Sequence, residues 1–196
     1  MKWWRCGEVI EKRGIKLILL ELTLLPLLLI SKYFLLLIFS LILFTAVFFR
    51  DPYRVIGEGV VSPADGKIDY VGEKRIEIFM RPFDCHINRS PVDGVVKKII
   101  FKRGSKPPAF IRSEKAMRNE IYIENEDGVF KVTQVAGIFA RRIVCYVKEG
   151  EYVKKGQKIG MITFGSRVIL EVPDGYIFVK SIGEKVKAGE TIALRK

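Results

Sequence analysis

Histidine is nearly absent from this chain of 196 residues, with His86 its single example. That excludes a metal site built from a histidine cluster. Cysteine is scarce too: Cys6, Cys85 and Cys145, an odd number with no C-x-x-C pair. This argues against a disulfide framework and against a zinc site, and it points to a reducing setting for the folded part. No G-x-S-x-G elbow occurs, so a hydrolase of that type is excluded. No lysine lies between Lys158 and Lys180. No small-residue cleavage site follows the apolar N-terminal stretch, which argues against a secretory signal. Basic residues are not interleaved with aromatics in any nucleic-acid-binding pattern, so no nucleic-acid partner is expected.

What the chain does have is a long apolar segment, Leu17 to Phe49, interrupted near Ser31-Lys32 and carrying Pro26 and Glu21. Lys2, Arg5, Lys12, Arg13 and Lys16 precede it, and Arg50 and Arg54 follow it. Positive charge at both ends places both ends on the cytoplasmic side, as a helical hairpin does. A charge at mid-membrane costs about 3 kcal/mol, so Glu21 favours a shallow first helix. The expected organisation is a membrane-anchoring helical hairpin over residues 1–49 and a folded domain over 50–196, at the cytoplasmic face of the cell membrane. The formal charge of +12 suits anionic lipid headgroups.

From Arg50 the texture becomes β-rich. Short apolar runs alternate with Gly, Pro, Asp and Asn: 67–71, 75–80, 95–101, 120–124, 130–136, 143–147, 158–163, 168–172 and 176–181. Such spacing predicts a mainly β fold, a barrel or sandwich. Residues 104–115, with Pro107-Pro108, read as a surface loop. Two repeats punctuate the pattern. Gly150-Glu-Tyr-Val-Lys-Lys-Gly-Gln-Lys-Ile-Gly160 and Gly183-Glu-Lys-Val-Lys-Ala-Gly-Glu-Thr-Ile-Ala193 share G-E-x-V-K-x-G-x-x-I-small. Ser62-Pro-Ala-Asp-Gly66, Ser90-Pro-Val-Asp-Gly94 and Val172-Pro-Asp-Gly175 are turn motifs, in which Pro fixes φ and Asp-Gly makes the turn. The first repeat predicts a symmetric β-structure with Gly165-Ser166 in a central hairpin.

Residues 150–196 resemble lipoyl- and biotin-carrier domains in this hammerhead pattern. Carriers present a lysine at the hairpin tip, where this chain has Phe164-Gly-Ser-Arg167. A membrane-tethered carrier or binding module without catalysis is therefore the second reading.

The leading reading rests on ordered motifs: Phe48-Phe-Arg-Asp-Pro52, Val61-Ser-Pro-Ala-Asp-Gly-Lys67, Asp84-Cys-His-Ile-Asn-Arg-Ser-Pro-Val-Asp-Gly94, Asn119-Glu120, Gln134-Val-Ala-Gly137, Ala140-Arg-Arg-Ile-Val144 and Phe164-Gly-Ser-Arg-Val168. Together they resemble the phosphatidylserine decarboxylases, in the short form of archaeal and some bacterial members. The resemblance implies a proenzyme that cleaves itself between Gly165 and Ser166 and converts Ser166 to a covalent pyruvoyl group. That group would form a Schiff base with the substrate's amine and accept electrons as carbon dioxide leaves. It implies a catalytic triad of Asp65, His86 and Ser166, a phosphatidylserine or archaetidylserine substrate, and two cleavage fragments that stay together as a heterodimer, with higher oligomers open. Many bacterial members carry H-x-x-H where this chain has His86 and then Arg89, so His86 serves alone. No metal is implied.

Overall fold

The computed structural model describes residues 12–23, 32–105, 115–137, 142–163 and 166–196. The Pro107-Pro108 loop, Ala140-Arg141 and Gly165 lie outside these residues. The chain forms two compact units, 1–53 and 54–196.

In the first unit lie α1 (Lys12–Leu22) and α2 (Lys32–Phe48). Leu, Ile and Phe fill α2 on every face, so no polar stripe interrupts it. At 17 residues, α2 spans roughly 25 Å, short of the roughly 30 Å hydrocarbon layer. Among the described residues no helix is long and apolar enough to cross a membrane. Glu21, expected to resist burial, accepts a hydrogen bond from Thr45 Oγ1 at 2.9 Å.

The second unit is mainly β, built from open sheets. In chain order its described strands are β1 (Val60–Val61), β2 (Gly66–Val71), β3 (Arg75–Met80), β4 (Ile87–Arg89), β5 (Gly94–Lys102), β6 (Arg118–Asn125) and β7 (Gly128–Ala136). They continue with β8 (Arg142–Cys145), β9 (Tyr152–Val153), β10 (Lys158–Thr163), β11 (Ser166–Glu171), β12 (Tyr176–Phe178), β13 (Lys185–Val186) and β14 (Thr191–Arg195). One sheet runs β13-β2-β3-β11-β7-β6-β5-β9; two three-stranded sheets run β1-β14-β12 and β4-β10-β8. Ile68, Ile78, Val96, Ile121, Phe130, Val132, Ile159, Ile162, Val168 and Ile192 form a common core.

The repeats in the sequence become a structural duplication. Ser62 N–H donates to Glu190 O and Gly189 N–H to Ser62 O; Ser90 N–H donates to Gln157 O and Gly156 N–H to Ser90 O. Each serine hydroxyl bonds the carbonyl two residues on, Ala64 at 2.8 Å and Val92 at 2.7 Å. Asp65 Oδ1 accepts from Ala188 N–H, and Asp93 Oδ1 from Lys155 N–H. Gly150 and Gly156, like Gly183 and Gly189, take φ between +81° and +96°, which glycine adopts without the Cβ clash of other residues. Each Ser-Pro-x-Asp-Gly turn is thus locked to one G-E-x-V-K-x-G segment. One copy contains β4–β10. The other contains β1–β3 and β11–β14, with the first inserted between β3 and β11.

Among the described residues, β10 and β11 do not pair with each other as the expected central hairpin requires. β10 pairs with β4 and β8, whereas β11 pairs with β3 and β7. The chain leaves one sheet at Thr163 and enters another at Ser166. Both strands are largely buried, and a strand covered on both faces pairs where core packing places it rather than with its sequence neighbour.

Candidate active site

Ser166 is the first residue of β11, paired across the sheet with Met80 on one side and Ala136 on the other. The next residue fixes this strand. Arg167 is 4% exposed, paired with Glu77 of β3 and, at 2.7 Å, with Asp69 of β2. Arg75 binds the far side of Glu77 at 2.7 Å. Removing one partner of a buried ion pair strands the other in low dielectric. Arg167→Met is therefore expected to destabilise the fold by about 3 kcal/mol, the lower end of the range for broken buried pairs because Arg75 remains on Glu77. Urea unfolding of an uncleaved Ser166→Ala host measures it.

Asp65 closes the turn before β2 and is buried. Its Oδ1 accepts from Ala188 N–H at 2.8 Å, and its Oδ2 holds Arg54 at 2.6 Å. His86 stands just before β4, fully buried, with Nδ1 2.8 Å from the carbonyl oxygen of Asp84. A carbonyl only accepts, so Nδ1 carries the proton in the neutral ring and the lone pair lies on Nε2. That tautomer makes Nε2 the basic face. Asp84 in turn is held by the backbone and side chain of Arg81.

The segments carrying these residues meet. Ile162 N–H donates to His86 O, and Arg89 N–H to Pro63 O. The first contact ties His86 to β10, and the second ties β4 to the Asp65 turn. Cys85, beside His86, lies within reach of both Arg54 and Asp65. Burial pushes its thiol pKa up, the Asp65 charge adds to this, and a backbone bond and Arg54 oppose it. Cys85 therefore stays a thiol and does not compete as a nucleophile.

Three residues that the sequence shows only as parts of separate motifs are joined by the structure. Asn119 Nδ2 donates to Gln134 Oε1 at 2.9 Å, Gln134 Nε2 donates to Asn88 Oδ1 at 2.8 Å, and Asn88 Nδ2 faces Met80 Sδ at 3.8 Å. All three amides are buried. Their chain links β6 and β7 to β4, two residues from His86, and ends on the residue paired with Ser166. Arg54 is legible in the sequence only as a flanking positive charge. The Asn119-Glu120 and Gln134 motifs are visible there, but nothing local shows that they join.

A buried imidazole with a defined basic nitrogen and a buried carboxylate on an adjoining turn make a site suited to proton transfer. The phosphatidylserine decarboxylase family matches residues 41–194. An Archaeoglobus fulgidus protein, provisionally named an archaetidylserine decarboxylase proenzyme, is 70% identical over 148 residues, 76% of each chain. A Methanococcoides burtonii protein with the same provisional name is 42% identical over 76% of this chain and 74% of its own. The phosphatidylserine decarboxylase proenzyme of Nitratidesulfovibrio vulgaris is 44% identical over 76% of each. The chain belongs to the phosphatidylserine decarboxylase family, and it is a decarboxylase.

Proposed function

We propose that this protein decarboxylates a serine phospholipid, phosphatidylserine or archaetidylserine, to the ethanolamine lipid after cleaving its own chain between Gly165 and Ser166. The observation that carries the reading is the position of Ser166. It opens a strand paired on both flanks, directly after Gly165 in the sequence.

In the self-cleavage, the Ser166 hydroxyl adds to the Gly165 carbonyl as its proton passes to a base. The peptide bond breaks and an ester to the Ser166 oxygen takes its place. Loss of the Ser166 α-proton then expels the Gly165 carboxylate and leaves dehydroalanine at residue 166. Water hydrolyses that residue with release of ammonia, giving the pyruvoyl group. His86 Nε2 is the base available from this site. Asp65, held by Arg54 and Ala188, is fixed on the turn that is tied to the His86 segment.

The residues around position 166 fit a group of that size. Ala136 opposite it carries only a methyl, and Met80 is unbranched. When formed, the pyruvoyl carbonyl supplies an electron sink for the carboxylate's departing electrons. His86 then returns a proton to the substrate carbon. Intact mass tests the reading. The purified protein gives two polypeptides, 1–165 and 166–196, the second lighter than an unmodified serine N-terminus. A single uncut chain that still releases carbon dioxide from the lipid would overturn it.

The first unit is assigned the role of membrane anchor at the cytoplasmic face. Leu35, Leu36, Leu37 and Phe39 of α2 are each more than half exposed, an apolar surface that water does not favour. Deleting residues 1–47 is expected to move the protein from the membrane to the soluble fraction and leave cleavage intact. Activity on bilayers falls with the lost surface concentration, while activity on detergent-dispersed lipid persists. Fractionation with a processing gel checks this, and a folded but uncut truncation would place the first unit within the catalytic architecture.

A further inference from the structure

The duplication supplies an internal control for the buried amides. Asn88 pairs with Gly160 of β10, and in the other copy Val60 pairs with Ala193 of β14. Asn88 and Val60 are therefore equivalent positions. Ser166 and Gly128 open the equivalent strands β11 and β7, opposite Met80 and Asn125. Counting equally from these starts, Gln134 corresponds to Val172. Val60 and Val172 are buried, as Asn88 and Gln134 are. The same fold thus accepts valine at both places. Gly160 follows the same logic. A Cβ there would lie 2.5 Å from Val144 O and 2.7 Å from Gln134 Nε2, whereas the equivalent Ala193 carries its methyl. The amides occur only in the copy that bears His86.

Burying amides gains little stability over apolar side chains, but their hydrogen bonds are directional. Here they bridge two sheets. Gln134 lies on β7, whose Ala136 pairs with Ser166, and its side chain binds Asn88 on β4, whose strand follows His86. We infer that Asn88 and Gln134 are positioning residues: their hydrogen bond sets the strand of His86 against the strand of Ser166 for self-cleavage. Asn119 orients Gln134 from the other side. This rests on the self-cleavage reading above.

The triple variant Asn88→Val/Asn119→Leu/Gln134→Met removes the bond without orphaning Asn119, whose amide donates to Gln134, and keeps the volume nearly constant. Its processing, followed by gel from the newly made full-length chain, is expected to slow by about 10²-fold, the order of effect of misplacing reacting groups by an ångström. In a Ser166→Ala background, where nothing is cut, its melting temperature is expected to stay close to that of Ser166→Ala alone. Wild-type processing in the triple variant overturns the inference. So does a melting temperature lowered enough to account for the slowing, or failure to fold, because the amides are then structural. Val132→Ala, a core change on β7, calibrates how far lost stability alone slows cleavage.

Gln134→Glu gives a second readout. A neutral carboxyl can accept from Asn119 and donate to Asn88, whereas a carboxylate cannot donate. Burial raises the pKa of the introduced group, so the ratio of variant to wild-type processing rate is expected to be highest at acid pH and to fall as pH rises. A ratio that stays constant over the pH range in which the introduced carboxyl is seen to titrate, by its infrared carbonyl band, overturns the inference. A wild-type chain that is itself never cut sinks the self-cleavage reading instead, and the two failures are distinct on the same gel.

Discussion

Ser166→Ala is expected to leave one chain of full length with no decarboxylase activity. Alanine has no hydroxyl to add to the Gly165 carbonyl, so the ester cannot form and the later elimination has no leaving group. No carbonyl then arises at residue 166, and the electron sink for decarboxylation is missing. The fold should survive. β11 is held by main-chain pairing on both flanks from residue 166 to residue 171, and the Arg167 ion pairs are untouched. A single band on a denaturing gel, an intact mass of the unprocessed chain and no carbon dioxide release form the expected result. Two fragments from this variant would exclude Ser166 as the nucleophile.

His86→Ala carries the second largest effect. His86 is the only imidazole in the chain, so no other histidine can replace it. Loss of a positioned acid–base group costs about 10²–10⁴-fold in rate. Processing is expected to slow by that order, and turnover by the fraction that does mature is expected to fall as well. The two effects separate by isolating processed material and measuring activity per pyruvoyl group. A variant that matures and turns over at wild-type rates would remove His86 from the site. His86→Gln tests the same point with less disturbance. An amide can still donate to the Asp84 carbonyl and occupy the buried space, but it is not a base.

Much of the β-rich domain is legible in the sequence alone. The runs at 75–80 and 158–163 coincide with β3 and β10, because alternating or continuous apolar residues bounded by turn chemistry are a local signal. Five short or terminal strands, β1, β4, β9, β13 and β14, fall outside the predicted runs. Four of them have two or three residues, too few to show a period. The two repeats are visible, but their assignment to each other is not. The bonds from Ser62 to Gly189 and from Ser90 to Gly156 join segments far apart in the chain, and local spacing carries no register across such distances. The expectation of a central hairpin fails for the same reason.

The amide chain is hidden differently. Gln134 alternates with Phe130, Val132 and Ala136, so the pattern places it on the core face, with Thr133 on the opposite one. Both Thr133 and Gln134 are buried, because β7 is covered on both sides there. The pattern turns Gln134 inward but shows neither of its partners, Asn119 and Asn88, which lie on other strands. His86 and Asp65 are legible through the motifs around them. The bond from His86 to the Asp84 carbonyl is not, nor is the hold of Arg54 on Asp65.

The insertion of one copy inside the other bears on what a broken chain would do. After the proposed cut, the copy with β4–β10 lies wholly in the longer polypeptide. The other copy is shared: β1–β3 remain with the longer piece, and β11–β14 make up the shorter one. The shorter piece has no core of its own, since Val168, Leu170, Val186 and Ile192 bury themselves within the common core. Parting the two polypeptides and denaturing the domain are then one cooperative event. Denaturant would release the small chain at the unfolding midpoint and not before. Two separately produced pieces would gain structure only on mixing, by fragment complementation.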